Sequence, residues 1–370
     1  MKNRLSIWLL LAIFTLVIIG VIMVYSASYP EALSNFGNGM YYVNRHLVFL
    51  LLGFVGMIFA YKIPMSVWKR YSVFLFVISV ILCGLTFTSL GVSHYGARRW
   101  IQFSPSMPQM QPSDFLKLGI LIYFPAILNR VNRNDYSRFL LIAVIGLCAG
   151  IVYAQKDLGT TIVIAVVMFN MYFLSNMKLS ELPLYIVLAG AFLYKAIFGY
   201  GYRAMRFKVF LDPYIDKFDK GWGIIQSSYA IANGGILGVG VGNSIQKFYY
   251  IFAAHSDYIF AIIAEELGLV GAMGIIFLIT YISLTFANRA FKIINDYEKF
   301  VLLGVSFYIG LQSMIHIGVV VNAIPAKGIT LPFISYGGSS IMAYMIMVGF
   351  ALNIMRNGKI RSVKKSENSN

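Results

Sequence analysis

Asp257 stands where a polar stretch meets an apolar run, in the order His255, Ser256, Asp257, with Glu265 and Glu266 about two helical turns further on. A carboxylate at such a junction is pushed by low dielectric toward the pKa of a working general base; the same residue ahead of a helix also serves as an N-cap. Arg98 and Arg99, beside Trp100, present two planar guanidinium forks suited to the oxygens of a pyrophosphate, the alternative being an anchor at the lipid headgroups. Asp114 and Lys117 are three apart and share a helix face, either as functional groups or as a structural ion pair. Lys156 and Asp157 make a further charged cluster.

These charges sit in a sequence that is 59% hydrophobic and 12% charged, about half the charged fraction of an ordinary soluble domain. Apolar runs at 5–24, 46–61, 71–90, 112–128, 139–154, 160–175, 182–198, 257–287, 300–324 and 331–355 predict an all-α integral membrane protein of about ten spans. The net charge of +16 does not indicate nucleic acid here, because most of the basic residues fall in short connections. Their bias toward alternate connections, from Lys2 and Arg4 through Lys62, Lys69 and Arg70 to Arg356, predicts cytoplasmic N- and C-termini. With that orientation, the clusters around Arg98, Asp114, Asp157 and Asp257 share the outer face.

The first apolar run follows Lys2 and Arg4 and precedes Ser26, Ala27 and Ser28, like a signal peptide, but it is too long for one and reads as an uncleaved anchor. Cys83 and Cys148 lie inside apolar runs with no partner motif, so neither a disulfide framework nor a metal site is indicated. Residues 1–355 are expected to form the membrane domain and 356–370 a basic cytoplasmic tail. The outer segment 199–255 is the one loop long enough for structure of its own. Its glycines, Gly234, Gly235, Gly238, Gly240 and Gly242, fail the dinucleotide spacing at Asn243 and suggest a re-entrant backbone packed against protein.

Six segments then carry a family resemblance: GARRWI (96–101), QPSDFLKL (111–118), QKDLGT (155–160), QSSYAIANGGILGVGVGNSIQK (226–247), HSDYIFAIIAEELG (255–268) and PAKGITLPFISYGGSS (325–340). In this order they resemble the SEDS family, the bacterial shape, elongation, division and sporulation proteins, and its division branch more than its elongation branch. The resemblance implies a ten-span fold with an outward cavity and peptidoglycan glycosyltransferase activity on lipid II and nascent glycan. It implies a class B penicillin-binding protein and other division proteins as partners, and a place in the bacterial inner membrane at the septum.

Carried onto this chain, the resemblance makes Asp257 the catalytic residue and Arg98, Arg99, Trp100, Asp114, Lys117, Gln226, Lys247, His255 and Lys327 substrate-binding. Asp157, Glu265, Glu266, Ser335, Tyr336 and Gly337 become supporting residues. Three departures stand out: Asp114 where the family usually has Glu, the stretch from Ile251 to Ala254 before the His-x-Asp motif, and His316 where Asn is common. The implied reaction has Asp257 accept the proton of a sugar 4-hydroxyl while Arg98 and Arg99, with Lys117 or Lys247, stabilise the departing diphosphate. A divalent cation, Mg2+ or Mn2+, is the one cofactor this chemistry leaves room for, and no ligand cluster in the sequence is dedicated to it. The rival readings are a transporter that flips lipid II without chemistry and a scaffold that only recruits a partner.

Overall fold

In lipid, a backbone must close its hydrogen bonds internally, and apolar runs of this length do so as helices. The computed structural model describes residues 2–94, 96–104, 107–131, 135–199, 201–248 and 250–360. The end of the expected tail, 361–370, lies outside the described residues, as does Arg133 of the connections. Helices α1 (Lys2–Phe36), α2 (Tyr41–Lys62), α3 (Met65–Arg70) and α4 (Ser72–Leu85) lead into a hairpin of β1 (Gly91–His94) and β2 (Ala97–Ile101). Then follow α5 (Pro112–Val131), α6 (Asp135–Ala154), α7 (Leu158–Asn176), α8 (Leu182–Phe198), α9 (Gly201–Leu211), α10 (Trp222–Gly234), α11 (Ile259–Ala290), α12 (Asp296–Val320) and α13 (Gly338–Asn357).

Among the described residues, seven helices are long and apolar enough to cross a membrane: α1, α2, α7, α8 with the turn before it, α11, α12 and α13. Helices α4, α5 and α6 occupy the places of the other three expected spans; α4 and the apolar part of α6 are short, and α5 carries Asp114 and Lys117. The outer surface is apolar, with Trp8, Leu51, Phe74, Phe139, Val187 and Phe277 all exposed, as lipid contact requires. Helices α12 and α13 form the buried centre. Helix α2 lies along α13, and small residues bring the two close: a β-carbon at Gly349 would stand 2.4 Å from the Met57 carbonyl oxygen.

Three features go beyond the pattern of apolar runs. The polar stretch after residue 28 is mostly helix, because α1 continues through Pro30 to Phe36; the polar residues do not mark the end of the helix. The loop 91–111 contains an antiparallel hairpin in an otherwise helical chain, turned at Gly96 with φ +74°. The long eighth span is broken: Gly268, at φ +67°, separates two helical parts of α11. All 32 residues of α11 would be about 48 Å long, against about 30 Å of hydrocarbon. At the break the chain 234–240 comes alongside, Val239 and Gly240 donating to the Glu265 and Glu266 carbonyls and Leu269 and Val270 to those of Gly235 and Ile236. A β-carbon on Gly268 would be 2.3 Å from the Gly238 nitrogen, so the glycine-rich run packs against protein as its composition suggested.

Candidate active site

The hairpin positions the arginines. Successive strand residues face opposite ways, so Arg98 is exposed while Arg99 is half-buried. Arg99 Nη2 donates to the Lys156 carbonyl at 2.8 Å, and its Nε lies 3.9 Å from Asp157 Oδ2. Lys156 adopts φ +62°, a conformation costly for a residue with a side chain, and this turn aims its carbonyl at the guanidinium. Asp157 caps α7: it accepts from the Thr160 amide at 3.1 Å, the Thr160 hydroxyl at 2.9 Å and Gln111 Nε2 at 3.2 Å.

One cleft collects Arg99, Lys156 and Asp157 with Arg203 and Arg206 of α9 and with Lys327 and Gly328. Arg206 Nη1 donates to the Ala326 carbonyl at 3.4 Å. Buried Arg203 donates to the Ala196 carbonyl at 3.2 Å and lies 4.9 Å over the Tyr153 ring. Asp257 borders this cleft across Gly328, where a β-carbon would stand 2.7 Å from Asp257 Oδ2. Burial raises the Asp257 pKa; the charges of Arg99, His255 and Arg206 pull it down without cancelling the rise, and Asp157 adds to it. Lys327 is lowered to about 8 by burial, with Asp157 holding it up and Arg203 pushing it down.

The loop carrying Asp257 is tied on two sides. Tyr336 N donates to the His255 carbonyl at 2.9 Å, Ser335 Oγ donates to the Ser256 carbonyl at 2.8 Å, and Leu331 N donates to Ser335 Oγ at 2.7 Å. His255 Nδ1 lies 3.4 Å from Glu31 Oε2 on α1, and its ring sits 4.4 Å from Tyr42 and 5.3 Å from Tyr336. Gly337 precedes α13 in extended backbone.

Other expected site residues lie elsewhere. Lys117 Nζ is buried, 3.0 Å from both Asp114 Oδ1 and Gln312 Oε1, and Ser339 Oγ donates to Asp114 Oδ2 at 2.8 Å; the shorter carboxylate closes the pair. Lys247 Nζ is buried 3.0 Å from Glu266 Oε1, which also accepts from Ser26 Oγ at 2.5 Å. Glu265 is satisfied by Ser244 Oγ and by the Ile245 and Gln246 amides. Gln226 is buried on α10, and Trp100 is half-buried on β2. His316 Nδ1 is 2.6 Å from the Ile329 carbonyl, linking α12 to the loop that carries Gly328.

Among the described residues no three His, Cys, Asp or Glu side chains gather as metal ligands, and the Asp157 oxygens face protein donors. Arg203 and Arg206 were missed by sequence reasoning. Their signal was a basic pair at helical spacing in the one long loop, indistinguishable in the sequence from a solvated face.

The sequence matches the family of FtsW, RodA and SpoVE, described as cell cycle protein, over residues 7–360. It is 35% identical over 356 residues to the "Probable peptidoglycan glycosyltransferase FtsW" of Coxiella burnetii, covering 94% of this chain and 95% of that one. The protein of the same name from Trichlorobacter lovleyi is 33% identical over 359 residues, covering 95% and 93%. In fold, the chain is similar to one from a peptidoglycan synthase complex, with TM-score 0.78, 24% identity and 94% and 96% coverage. It is also similar to the rod shape determining protein RodA of Thermus thermophilus, with TM-score 0.70, 23% identity and 94% and 95% coverage.

Proposed function

This chain belongs to the FtsW, RodA and SpoVE family, and from that premise we propose that it is a peptidoglycan glycosyltransferase of the division branch, polymerising lipid II into glycan strands. The 4-hydroxyl oxygen of the incoming lipid II attacks the anomeric carbon of the growing strand from the face opposite the diphosphate. A glycosidic C–O bond forms, the C–O bond to the diphosphate breaks, and undecaprenyl pyrophosphate leaves with the bonding electrons. Asp257 accepts the hydroxyl proton. Arg99, Arg203, Arg206 and Lys327 neutralise the charge on the leaving oxygens, and positioned cations of this kind supply much of the rate. Both substrates are lipid-anchored, so a site at the membrane surface holds them in one plane and brings them together.

The observation that carries this reading is a half-buried carboxylate, Asp257, whose pKa burial raises, one glycine away from a cleft lined by five cationic residues, Arg99, Lys156, Arg203, Arg206 and Lys327. The membrane orientation follows the basic residues, with both termini cytoplasmic and the cleft on the outer face of the cytoplasmic membrane at the septum. A class B penicillin-binding protein is the partner that would crosslink the product. The test is polymerisation of labelled lipid II by the purified protein with such a partner, resolved on a gel. Asp257→Asn should abolish polymer while the protein stays folded. Polymer from Asp257→Asn would remove the base, and lipid II flipping without polymer by the unaltered protein would make the chain a transporter.

A further inference from the structure

A second cavity lies at the other end of the bundle. Helix α4 has 14 residues, about 21 Å, and its C-terminal end belongs to the cleft end, where Gln155 Nε2 donates to the Cys83 carbonyl at 3.0 Å and to Thr86 Oγ1 at 3.1 Å. Its start therefore faces the opposite side. There, Ser66, Lys69 and Arg70 of α3, Ser72 of α4, and Tyr123 and Ile127 of α5 surround a cavity of ≈ 430 Å³, within the size range of small-molecule sites.

The helices that form it explain why it exists. Helices α4 and α5 are in contact at Gly119, where a β-carbon would stand 2.4 Å from Ser79 Oγ and 3.3 Å from the Phe76 α-carbon. One turn on, the Phe76 and Tyr123 rings stack at 4.4 Å. Beyond that pair comes Pro125, inside α5, which removes a backbone donor and favours a bend. The space that follows is lined by Val73, Tyr123, Ala126 and Ile127 and by the exposed Lys69 and Arg70. Neither cation has a carboxylate within ion-pair distance among the described residues; Lys69 Nζ lies 5.2 Å over the Tyr297 ring and Arg70 5.9 Å over Tyr71. The cavity adjoins the lipid-exposed face of α4, where Val73, Phe74 and Val77 are exposed.

We infer that this cavity is a binding site for the phosphodiester headgroup of an anionic phospholipid of the inner leaflet. An apolar interior beside a lipid-facing helix takes glycerol and the upper acyl chains, while two cations and the hydroxyl of Ser66 meet the phosphate; Ser72 Oγ donates to the Lys69 carbonyl at 2.8 Å and holds the wall of the cavity. Inner-leaflet placement rests on the orientation proposed above; the binding itself does not.

The test uses the full chain purified in detergent and native mass spectrometry of retained lipid. Phosphatidylglycerol should be retained over phosphatidylcholine by at least about 5-fold, the scale of one basic residue at a membrane surface. Lys69→Gln/Arg70→Gln should remove that preference, whereas Lys292→Gln/Lys359→Gln should keep it. Ile127→Trp, which fills the cavity and leaves both charges, should lower retention as well, so a folding defect of the charge variant does not decide the matter. Undiminished phosphatidylglycerol in both cavity variants overturns the site. Displacement of the lipid by an equal concentration of inorganic phosphate overturns the lipid as occupant and assigns a soluble phosphate. Labelling of Lys62→Cys from outside intact cells by an impermeant maleimide would overturn the inner-leaflet placement and the proposed orientation, while leaving the binding result intact.

Discussion

Asp257 and Gly328 are packed so closely that a β-carbon at 328 would stand 2.7 Å from Asp257 Oδ2. The contact fixes the carboxylate against the edge of the cationic cleft, and it makes residue 328 sensitive to a single methyl group. Gly328→Ala should lower polymerisation by about 10- to 100-fold, the range expected when a reacting group moves by about an ångström. Gly328 is exposed, so the unfolding temperature should change little. An alanine variant with full activity would mean that the Asp257 carboxylate has no fixed place in the reaction.

Burial raises the Asp257 pKa. Only the carboxylate form accepts a proton, so the rate should climb with pH through a value above the ordinary carboxylate range. For stability the same shift works the other way. A carboxyl whose pKa is raised by folding favours the fold at pH below its unfolded value, and that contribution is lost as pH rises through the folded value. At neutral pH the charged group therefore opposes folding, and Asp257→Asn should raise the unfolding temperature while abolishing polymerisation. Unfolding curves and polymer gels on one preparation check both; a destabilised Asp257→Asn protein would contradict the assigned cause.

Lys327 has its pKa lowered to about 8, and its ammonium faces the same cleft. Neutralising it as pH passes 8 should weaken the hold on diphosphate, giving an alkaline limb that appears as rising KM. Lys327→Arg keeps the charge to much higher pH and should move or erase that limb. Arg206→Ala, which removes a neighbouring cation and leaves Lys327, should raise KM at every pH and leave the limb in place. KM measured across pH on the three proteins decides this, and a limb that survives Lys327→Arg belongs to another group.

The parts that sequence made readable were those where physical chemistry makes one residue type costly. Asp257 and Arg99 stood out because charge beside apolar sequence is expensive, and the structure places Arg99 in the cleft and Asp257 at its border across Gly328. Lys117 stood out for the same reason and Lys247 through the family resemblance, yet both meet carboxylates of the chain itself, because a buried charge looks alike in sequence whether it awaits a substrate or already has a partner. The hairpin at 91–101 left no mark, since five residues of β2 are too few to show an alternation against surrounding helices. Gly268, two residues after Glu266, carried no sign of a break because a glycine inside a long apolar segment is also tolerated in a helix, and its positive φ goes with the glycine-rich chain packed beside it.

Lys117 and Lys247 give a way to separate structure from substrate binding. Lys117→Met would leave the Asp114 carboxylate buried beside Gln312 and Ser339 without its cation, a loss of about 3–5 kcal/mol where a buried pair is broken from one side. Asp114→Leu/Lys117→Met, which removes both charges, should recover most of that loss. Lys247→Met should behave like Lys117→Met, because Glu266 would keep only Ser26 and the Ser244 amide. Arg206→Ala should show the opposite pattern, an unfolding temperature near that of the unaltered protein with raised KM. If instead Lys117→Met raises KM without lowering the unfolding temperature, its ammonium leaves Asp114 during turnover and reaches the substrate, and the internal pair is a resting arrangement.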